Sequence, residues 1–305
     1  MQKVGILLST YNGEKYLKEQ LDSILRQHSV EIELFIRDDG SSDHTKVILS
    51  NYVNSDRRVH VFFGDNVGVG NSFMNLLYSV PETFDYYGFS DQDDIWDDEK
   101  VIEAINALRD SKCSLYASNQ ECIDKDGKYL YMRYSDRDQM HLTPLSIMCQ
   151  NTIAGCTFVF DSKLFKLLKE RQPSSELLRL RIHDVWVAMA AAITGSIYYD
   201  NKSYIKYRQH DNNVVGAEKD SWIDVIKMQF GKVRDSSQRN GRSTIAQEAV
   251  KCFPESVEEA DLLRVCGNPK TIRNKFELIR QSSTIRDYTK ESWLGFIIKV
   301  LIGLF

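Results

Sequence analysis

The chain has 305 residues, of which 42% are hydrophobic and 27% are charged, and its formal net charge is −4. This length suffices for one large α/β domain with an appendage or for two modest domains, and the composition excludes a disordered chain. The small negative charge argues against nucleic acid as a partner. The acidic excess lies before Trp222 and a basic excess follows it, so the carboxyl-terminal part is predicted to meet an anionic surface.

The pattern of apolar residues predicts alternating strands and helices in the first half of the chain. The predicted strands are residues 4–8, 34–37, 59–63, 86–90 and 114–117, and the predicted helices are residues 16–26, 44–52, 70–79 and 99–109. Such a β-α-β-α order is typical of a parallel sheet with helices on both faces. The fold class is therefore α/β.

The second half has a mixed pattern. We predict strands at residues 157–160, 197–199 and 204–207 and helices at residues 162–169 and 184–193. From residue 222 the pattern is largely helical and basic, with a loop at residues 235–243.

The six cysteines show neither a C-x-x-C pair nor the spacing of a zinc site. The first apolar run, residues 4–8, is far too short for the core of a signal peptide. We therefore expect reduced thiols in a cytoplasmic protein.

Three polar segments follow predicted strands: residues 9–12, 38–43 and 90–94. Ligands of such sheets bind at the carboxyl ends of the strands, so these segments are expected to meet at one edge. Asp91-Gln92-Asp93-Asp94 places three carboxylates within four residues, an arrangement that a divalent cation and a bound diphosphate would neutralise. The alternative is a solvated acidic turn that caps the next helix.

The segment that begins with Asp38 and Asp39 is open to two interpretations as well. Its Gly and Ser residues suit a tight turn before a helix. Two adjacent acids after a buried strand also suit hydrogen bonds to a nucleotide base or a ribose. Tyr11 offers a ring for stacking on the base, although such rings are more often simply packed.

In order and spacing, these motifs resemble those of the family 2 glycosyltransferases with the GT-A fold. The residues that carry the resemblance are Ser9-Thr10-Tyr11-Asn12-Gly13, Asp38-Asp39-Gly40-Ser41-Ser42-Asp43, Asn66-x-Gly68, Asp91-x-Asp93-Asp94, His183-Asp184-Val185-Trp186 and the segment around His210. The resemblance covers about residues 1–215. It implies a Rossmann-like domain with a mixed, mainly parallel sheet flanked by helices.

The resemblance also implies site residues, carried over one by one. Residues 1–118 would bind the nucleotide sugar, residues 119–215 the acceptor, and residues 216–305 would form a helical extension. The nucleotide-sugar contacts would come from Thr10, Tyr11, Asp38, Asp39, Asn66, Gly68, Asp91, Gln92 and Gly155, the ligands of Mg²⁺ or Mn²⁺ would be Asp91, Asp93, Asp94 and His210, and the catalytic base would be Asp184.

The residues of these motifs are most similar to those of the branch of rhamnosyltransferases that build bacterial surface polysaccharides. Met74 stands where many family members carry Arg, which weakens the case for a diphosphate contact from that helix. The branch implies an inverting transfer of L-rhamnose from dTDP-rhamnose, or of another sugar from a dTDP- or UDP-linked donor, to a hydroxyl of a surface polysaccharide.

The last 13 residues, 293–305, carry one charge and are too short for a membrane span, which needs about 20 apolar residues. They are expected to lie at a membrane interface or to pack on protein. A peripheral position on the inner face of the plasma membrane would suit a lipid-linked acceptor.

Two other functions remain open. One is a non-catalytic scaffold of a glycan-assembly complex, and the other is a sugar-phosphate nucleotidyltransferase, which would usually carry a Gly-rich, Arg-containing loop after the first strand. An NAD-dependent oxidoreductase is excluded, because Gly68-Val69-Gly70 lacks the third glycine of the fingerprint and follows a later strand.

Overall fold

The computed structural model describes residues 1–135, 140, 142–210, 241–254, 260–289 and 292–302. Their contacts divide them into two compact units. The described residues of 1–140, 153–170 and 195–216 form the first unit, and those of 141–152, 171–194 and 217–305 form the second. The predicted division into a catalytic domain of residues 1–215 and an extension concerns function, so it stays a prediction.

The first unit is built on one mixed sheet. Its strands are β1 (Gln2–Thr10), β2 (Val30–Asp38), β3 (Val59–Phe63), β4 (Tyr86–Ser90), β5 (Ile95–Trp96), β6 (Leu115–Ile123), β7 (Tyr129–Met132), β8 (Val159–Asp161) and β9 (Ile197–Arg208). They lie in the order β3-β2-β1-β4-β8-β6-β9-β5, and β7 pairs with β6. The strands β1 to β4 are parallel, as are β6 and β9, whereas β8 is antiparallel to both of its neighbours.

Helices join the parallel strands, as the alternating sequence pattern predicts. The helices of this unit are α1 (Leu17–Leu25), α2 (Thr45–Ser55), α3 (Val69–Ser79), α4 (Lys100–Ser111) and α6 (Ser162–Glu170). Residues of β1 from Val4 to Leu8 are all buried, because a central parallel strand is covered on both faces. The α/β fold class and the mixed, mainly parallel sheet are confirmed.

Two local predictions are wrong in part, and two predicted strands prove to be parts of one longer strand. The strand predicted at 157–160 begins as a short 3₁₀ turn, Gly155–Thr157, because the Thr157 amide and hydroxyl both donate to the Ala154 carbonyl at 3.0 and 2.7 Å. The strands predicted at 197–199 and 204–207 are confirmed, but both belong to β9. Between them Asn201 and Lys202 form a bulge, because Ser118 pairs with Asp200 and Asn119 pairs with Ser203. The loop predicted at 235–243 is helical from Gly241 on, and its first six residues lie outside the described ranges.

The second unit is helical. It contains α5 (Pro144–Cys149), α7 (Ser175–Thr194), α8 (Gly241–Cys252), α9 (Ala260–Gly267), α10 (Ile272–Arg280), α11 (Ser282–Thr289) and α12 (Trp293–Ile302). Trp186 of α7 packs on Phe253 with ring centroids 5.7 Å apart. None of the described helices combines the length and the apolar character needed to cross a bilayer.

A break inside α7 explains why the sequence pattern starts a helix only at residue 184. Ile182 has φ 48° and ψ 170°, a backbone conformation that is strained for a β-branched residue. The helical run that carries the His183-Asp184 motif therefore begins just after a kink.

Gly88 of β4 is required by close packing. A Cβ atom there would lie 3.1 Å from the Phe158 carbonyl oxygen and 3.2 Å from Cδ1 of Ile6, and the backbone oxygen cannot swing away. We expect Gly88→Ala to lower the free energy of unfolding by about 1–3 kcal/mol, measured by urea denaturation. Ser50→Ala on the exposed face of α2 is the control, and a Gly88→Ala variant as stable as this control contradicts the packing.

Candidate active site

The carboxyl ends of β1, β2 and β4 bring the three polar segments together. β1 pairs with β2 as far as Thr10↔Asp38 and with β4 as far as Leu8↔Ser90. The chain order reverses between β1 and β4, which is the point at which open α/β sheets form a ligand crevice. The segments share one edge of the sheet, as the sequence predicts.

Gln92 ties the acidic segment to the loop after β1. Its Oε1 accepts hydrogen bonds from the Thr10 hydroxyl at 2.6 Å and from the Tyr11 amide at 2.9 Å, and its Nε2 donates to the Tyr11 carbonyl at 3.2 Å. The Tyr11 ring is left exposed. Tyr11 can therefore meet a ligand, while Gln92 and Thr10 fix the shape of the crevice.

Asp39 is buried and already has partners in the protein. Its carboxylate accepts the amides of Val67 and Gly68, both at 3.0 Å, and forms an ion pair with the Arg37 guanidinium. The Arg37 guanidinium also donates to the Asp65 carbonyl at 3.0 Å. Asp39 thus holds the 65–68 loop against the end of β2, and its predicted contact with a nucleotide stays a prediction.

Asp38 is fully buried at the end of β2. Its Oδ2 accepts the Ser41 amide at 3.1 Å and lies 4.0 Å from the Lys46 ammonium. These contacts are those of a tight turn, which was the alternative interpretation of this motif. Gly40, with φ 82°, completes the turn.

Asp91, Asp93 and Asp94 lie in the loop that follows β4, and the end of β9 holds this loop in place. The Arg208 amide donates to Asp94 Oδ1 at 3.1 Å, and the Arg208 Nε donates to the Asp93 carbonyl at 3.0 Å. His210 Nε2 lies 2.8 Å from Asp93 Oδ2. His210 and Asp93 are thus neighbours, as the sequence predicts, although 117 positions separate them.

Asp94 is the buried member of the acidic cluster. Burial, and then the charges of Asp93 and Asp91, raise the pKa of its carboxyl well above the usual range. Its Oδ2 has no hydrogen-bond partner among the residues that the structure describes. Ligand atoms of Asp91, Asp94 and Cys156 lie within 4.8 Å of one another. A divalent cation fits this set, because it would neutralise the carboxylates and satisfy the buried oxygen.

Comparison with known proteins gives the family. The model of glycosyl transferase family 2 matches residues 6–165. The dTDP-rhamnosyl transferase RfbG of Shigella flexneri is 33% identical over 221 residues, which cover 69% of this chain and 74% of that protein. The chain belongs to glycosyltransferase family 2. An uncharacterized glycosyltransferase of Rickettsia typhi, RT0329, is 30% identical over 217 residues, 68% of this chain and 64% of that one.

A solved structure shows the same fold. Residues 1–349 of TarS from S. aureus, in complex with UDP-GlcNAc, match with a TM-score of 0.58 over 99% of this chain and 93% of that chain, at 15% identity. The GT-A fold is therefore confirmed for this glycosyltransferase.

Arg208 is a residue of the site that sequence reasoning missed. Its buried guanidinium donates to Glu19 of α1 at 2.6 Å and to the Lys125 carbonyl at 3.2 Å, in addition to its bond with the acidic loop. It also lies 4.6 Å from the centre of the Tyr16 ring. The only sequence signal is a cation two residues before His210, which does not identify these partners.

Lys100 and Cys156 are two buried residues near Asp94 that the sequence did not reveal. Lys100, the first residue of α4, is fully buried with its Nζ 3.7 Å from the centre of the Trp96 ring, and no described residue accepts a hydrogen bond from it. Burial lowers the pKa of Lys100 to about 7, although nearby Cys156 and Asp94 act in the opposite direction. Burial raises the pKa of the Cys156 thiol. Gln120 Nε2 donates to that sulfur at 3.4 Å.

The remaining predicted residues are placed as follows. Asn66 and Gly68 lie in the loop before α3, and Gly155 begins the 3₁₀ turn that contains Cys156. Asp184 belongs to the second unit, where it is nearly buried and its Oδ1 accepts the Val185 amide at 2.7 Å. Burial lowers the pKa of the adjacent His183 to about 3. The role of Asp184 as the base stays a prediction.

The Arg37–Asp39 pair yields a stability prediction. Asp39→Ala leaves the nearly buried Arg37 guanidinium without its acid, so we expect the free energy of unfolding to fall by about 3–5 kcal/mol in urea denaturation. Asp39→Asn should cost less, because its amide oxygen still accepts the loop amides. Asp65→Ala removes an exposed acid from the same loop as the control; equal stability of Asp39→Ala and this control contradicts the assignment.

Lys100 yields a pH prediction. Its pKa is about 7 in the folded chain against an ordinary value of 10.5, so between these values the unfolded chain holds a proton that the folded chain lacks. The free energy of unfolding should therefore be lowest near pH 7 and should rise as the pH increases towards 10.5. Lys100 contributes about 5 kcal/mol to this rise at most.

The contribution of Lys100 is measured as the difference between wild type and Lys100→Met, by urea denaturation from pH 6.5 to 10 with a chelator present. Lys18→Met, at an exposed lysine of α1, is the control. A difference between wild type and Lys100→Met that does not change with pH would show that Lys100 keeps its proton throughout.

Proposed function

We propose that this glycosyltransferase is metal-dependent and inverting, and that it transfers L-rhamnose from dTDP-rhamnose to a hydroxyl of a growing surface polysaccharide. Two observations support the site at the switch point of the sheet: ligand atoms of Asp91, Asp94 and Cys156 lie within 4.8 Å of one another, and His210 Nε2 lies 2.8 Å from Asp93 Oδ2. The donor is inferred from the similarity to a dTDP-rhamnosyl transferase.

The acidic loop is the proposed metal site. Asp91, Asp93, Asp94 and His210 would hold Mg²⁺ or Mn²⁺, which supplies positive charge to the leaving nucleoside diphosphate. Arg208 supports this role, because it fixes the loop backbone while its own charge is directed to Glu19.

The proposed donor site lies along the same edge of the sheet. The exposed Tyr11 ring would stack on the base, and Asp91 would help to hold the cation near the diphosphate. The other proposed contacts are Thr10, Asp38, Asp39, Asn66, Gly68, Gln92 and Gly155. Because Asp38, Asp39 and Gln92 are engaged within the protein, they act mainly by holding the loops that the nucleotide contacts.

Asp184 is the proposed general base. It removes the proton of the acceptor hydroxyl as the oxygen attacks the anomeric carbon, while the bond to the diphosphate breaks on the opposite face of the sugar. This single displacement inverts the anomeric configuration. The acceptor is a lipid-linked glycan at the cytoplasmic face of the plasma membrane, which agrees with the apolar end of the chain.

The experiment is thermal unfolding of the purified protein with dTDP-rhamnose, UDP-glucose or UDP-GlcNAc, each with and without Mn²⁺ or Mg²⁺, together with an assay of sugar release. A donor at 100 times its dissociation constant stabilises the folded state by about 2.7 kcal/mol. We expect dTDP-rhamnose with metal to give the largest stabilisation. The Asp93→Asn variant lacks one of the proposed metal ligands, so dTDP-rhamnose with metal should not raise its unfolding temperature.

Asp184→Asn separates binding from catalysis. It should keep the stabilisation by donor and metal but lose about 10²–10⁴-fold in transfer rate, as expected for a general base. Asp110→Asn, at an exposed acid near the end of α4, is the control for both variants. If only a UDP-sugar stabilises the protein, that UDP-sugar and not dTDP-rhamnose is the donor. If no nucleotide sugar stabilises it, the result favours a non-catalytic scaffold.

A further inference from the structure

Two helices of the second unit expose large apolar side chains. Ile272 and Phe276 of α10 are 88% and 70% exposed. On α12, Trp293, Leu294, Ile298 and Leu301 are about half exposed. Soluble proteins rarely leave so many neighbouring apolar side chains in water unless they form a contact surface.

The helix α12 has two apolar faces with different tasks. Phe296 and Val300 are fully buried and fix the helix to the protein. Leu294, Ile298 and Leu301 lie on the outer face. The two helices contact each other, and Lys275 of α10 donates to the Leu301 carbonyl at 2.6 Å. The outer face of α12 is therefore not needed to hold the helix in place.

The helix α10 carries an apolar strip bordered by cations. At about 100° per residue, Ile272 and Phe276 share one strip, while Arg273 and Lys275 fall on its two sides. Leu278, which is fully buried, lies away from the strip and packs inward. An exposed apolar strip between basic side chains is the pattern of a helix that lies in a membrane interface.

The region around these helices has an excess of positive charge. Of the described residues from 260 to 302, seven are basic and three are acidic. Two of the acids, Asp261 and Glu277, pair with Arg264 and Arg280 on their own helices. The excess positive charge complements a surface of anionic lipids and would repel a second copy of the same face.

We propose that α10 and α12 form a membrane-docking face that binds a bilayer containing anionic phospholipid. Ile272, Phe276, Leu294, Ile298 and Leu301 enter the boundary between headgroups and acyl chains, and Lys270, Arg273 and Lys275 meet the phosphates. The inference deepens the proposed function and rests on it for its biological purpose, because docking would bring the transferase to a lipid-linked acceptor. It extends the contact from the apolar end of the chain to α10.

The test is co-sedimentation of the full chain with vesicles of phosphatidylcholine alone or of phosphatidylcholine with phosphatidylglycerol. We expect binding only to the anionic vesicles, and weaker binding at high salt. The double variant Phe276→Glu, Ile298→Glu should lose more than tenfold in affinity. Its matched control is Val47→Glu, Val53→Glu, which places the same charges on exposed positions of α2 in the first unit.

A second pair of variants tests the charges. Lys270→Gln with Arg273→Gln should lower the affinity for anionic vesicles about 30-fold, given the typical contribution of a cation near such a surface. Lys163→Gln with Lys166→Gln, at exposed lysines of α6, is the matched control. Thermal unfolding of each variant confirms that it is folded.

Three outcomes overturn the proposal: wild type that ignores anionic vesicles, variants that bind as tightly as wild type, or equal losses in the controls. Light scattering that shows a dimer dissociating in Phe276→Glu, Ile298→Glu, with no vesicle binding, would assign the face to a second copy instead. Vesicle binding needs no donor and no metal. A chain that binds vesicles but no nucleotide sugar would therefore refute the proposed function alone.

Discussion

The architecture of the site depends on one constraint, the burial of a carboxylate among other carboxylates. Asp94 is completely enclosed beside Asp91 and Asp93, so the protein must compensate a cost that grows with desolvation. Part of the compensation comes from the backbone amide of Arg208, which donates to Asp94 Oδ1 from the end of a strand that pairs on the far side of β6 from β4. The acidic loop can keep its shape only if β9 delivers Arg208 in the correct register, which links sheet topology directly to the site.

Residues that look like ligand contacts in the sequence serve the loops first. Gln92 joins the loops after β4 and β1, and Asp39 joins the end of β2 to the loop before α3. These bonds join protein groups to one another, so the protein itself holds the loops that border the crevice. A binding role and a structural role are therefore not alternatives for these side chains, because the rigid loop is what presents Tyr11 and the acidic segment.

The sequence predicted the features that follow from short-range patterns. Apolar runs of four or five residues located the central strands, and parallel topology then placed the polar segments at one edge. The family motif placed His210 beside Asp93. It could not reveal Arg208, Lys100 or Cys156, because their importance comes from burial, and burial depends on which strands pair across more than 80 positions of the chain. The two-residue β5 and the exposed β7 carry no periodic signal at all.

In the carboxyl-terminal helices, the sequence likewise does not reveal which apolar side chains are buried and which are exposed. Composition alone singles out α12, since nearly every residue there is apolar, but it cannot say which face is used to fold. In α10 two exposed apolar residues among charged ones look unremarkable in sequence, and they matter only because Leu278 takes the inward position. Leu278 of α10 and Phe296 and Val300 of α12 take the inner positions, so packing within their helices' inner faces does not account for the group of exposed apolar side chains. The proposed docking face consists of these outer side chains, and the flanking cations favour an anionic bilayer as its partner.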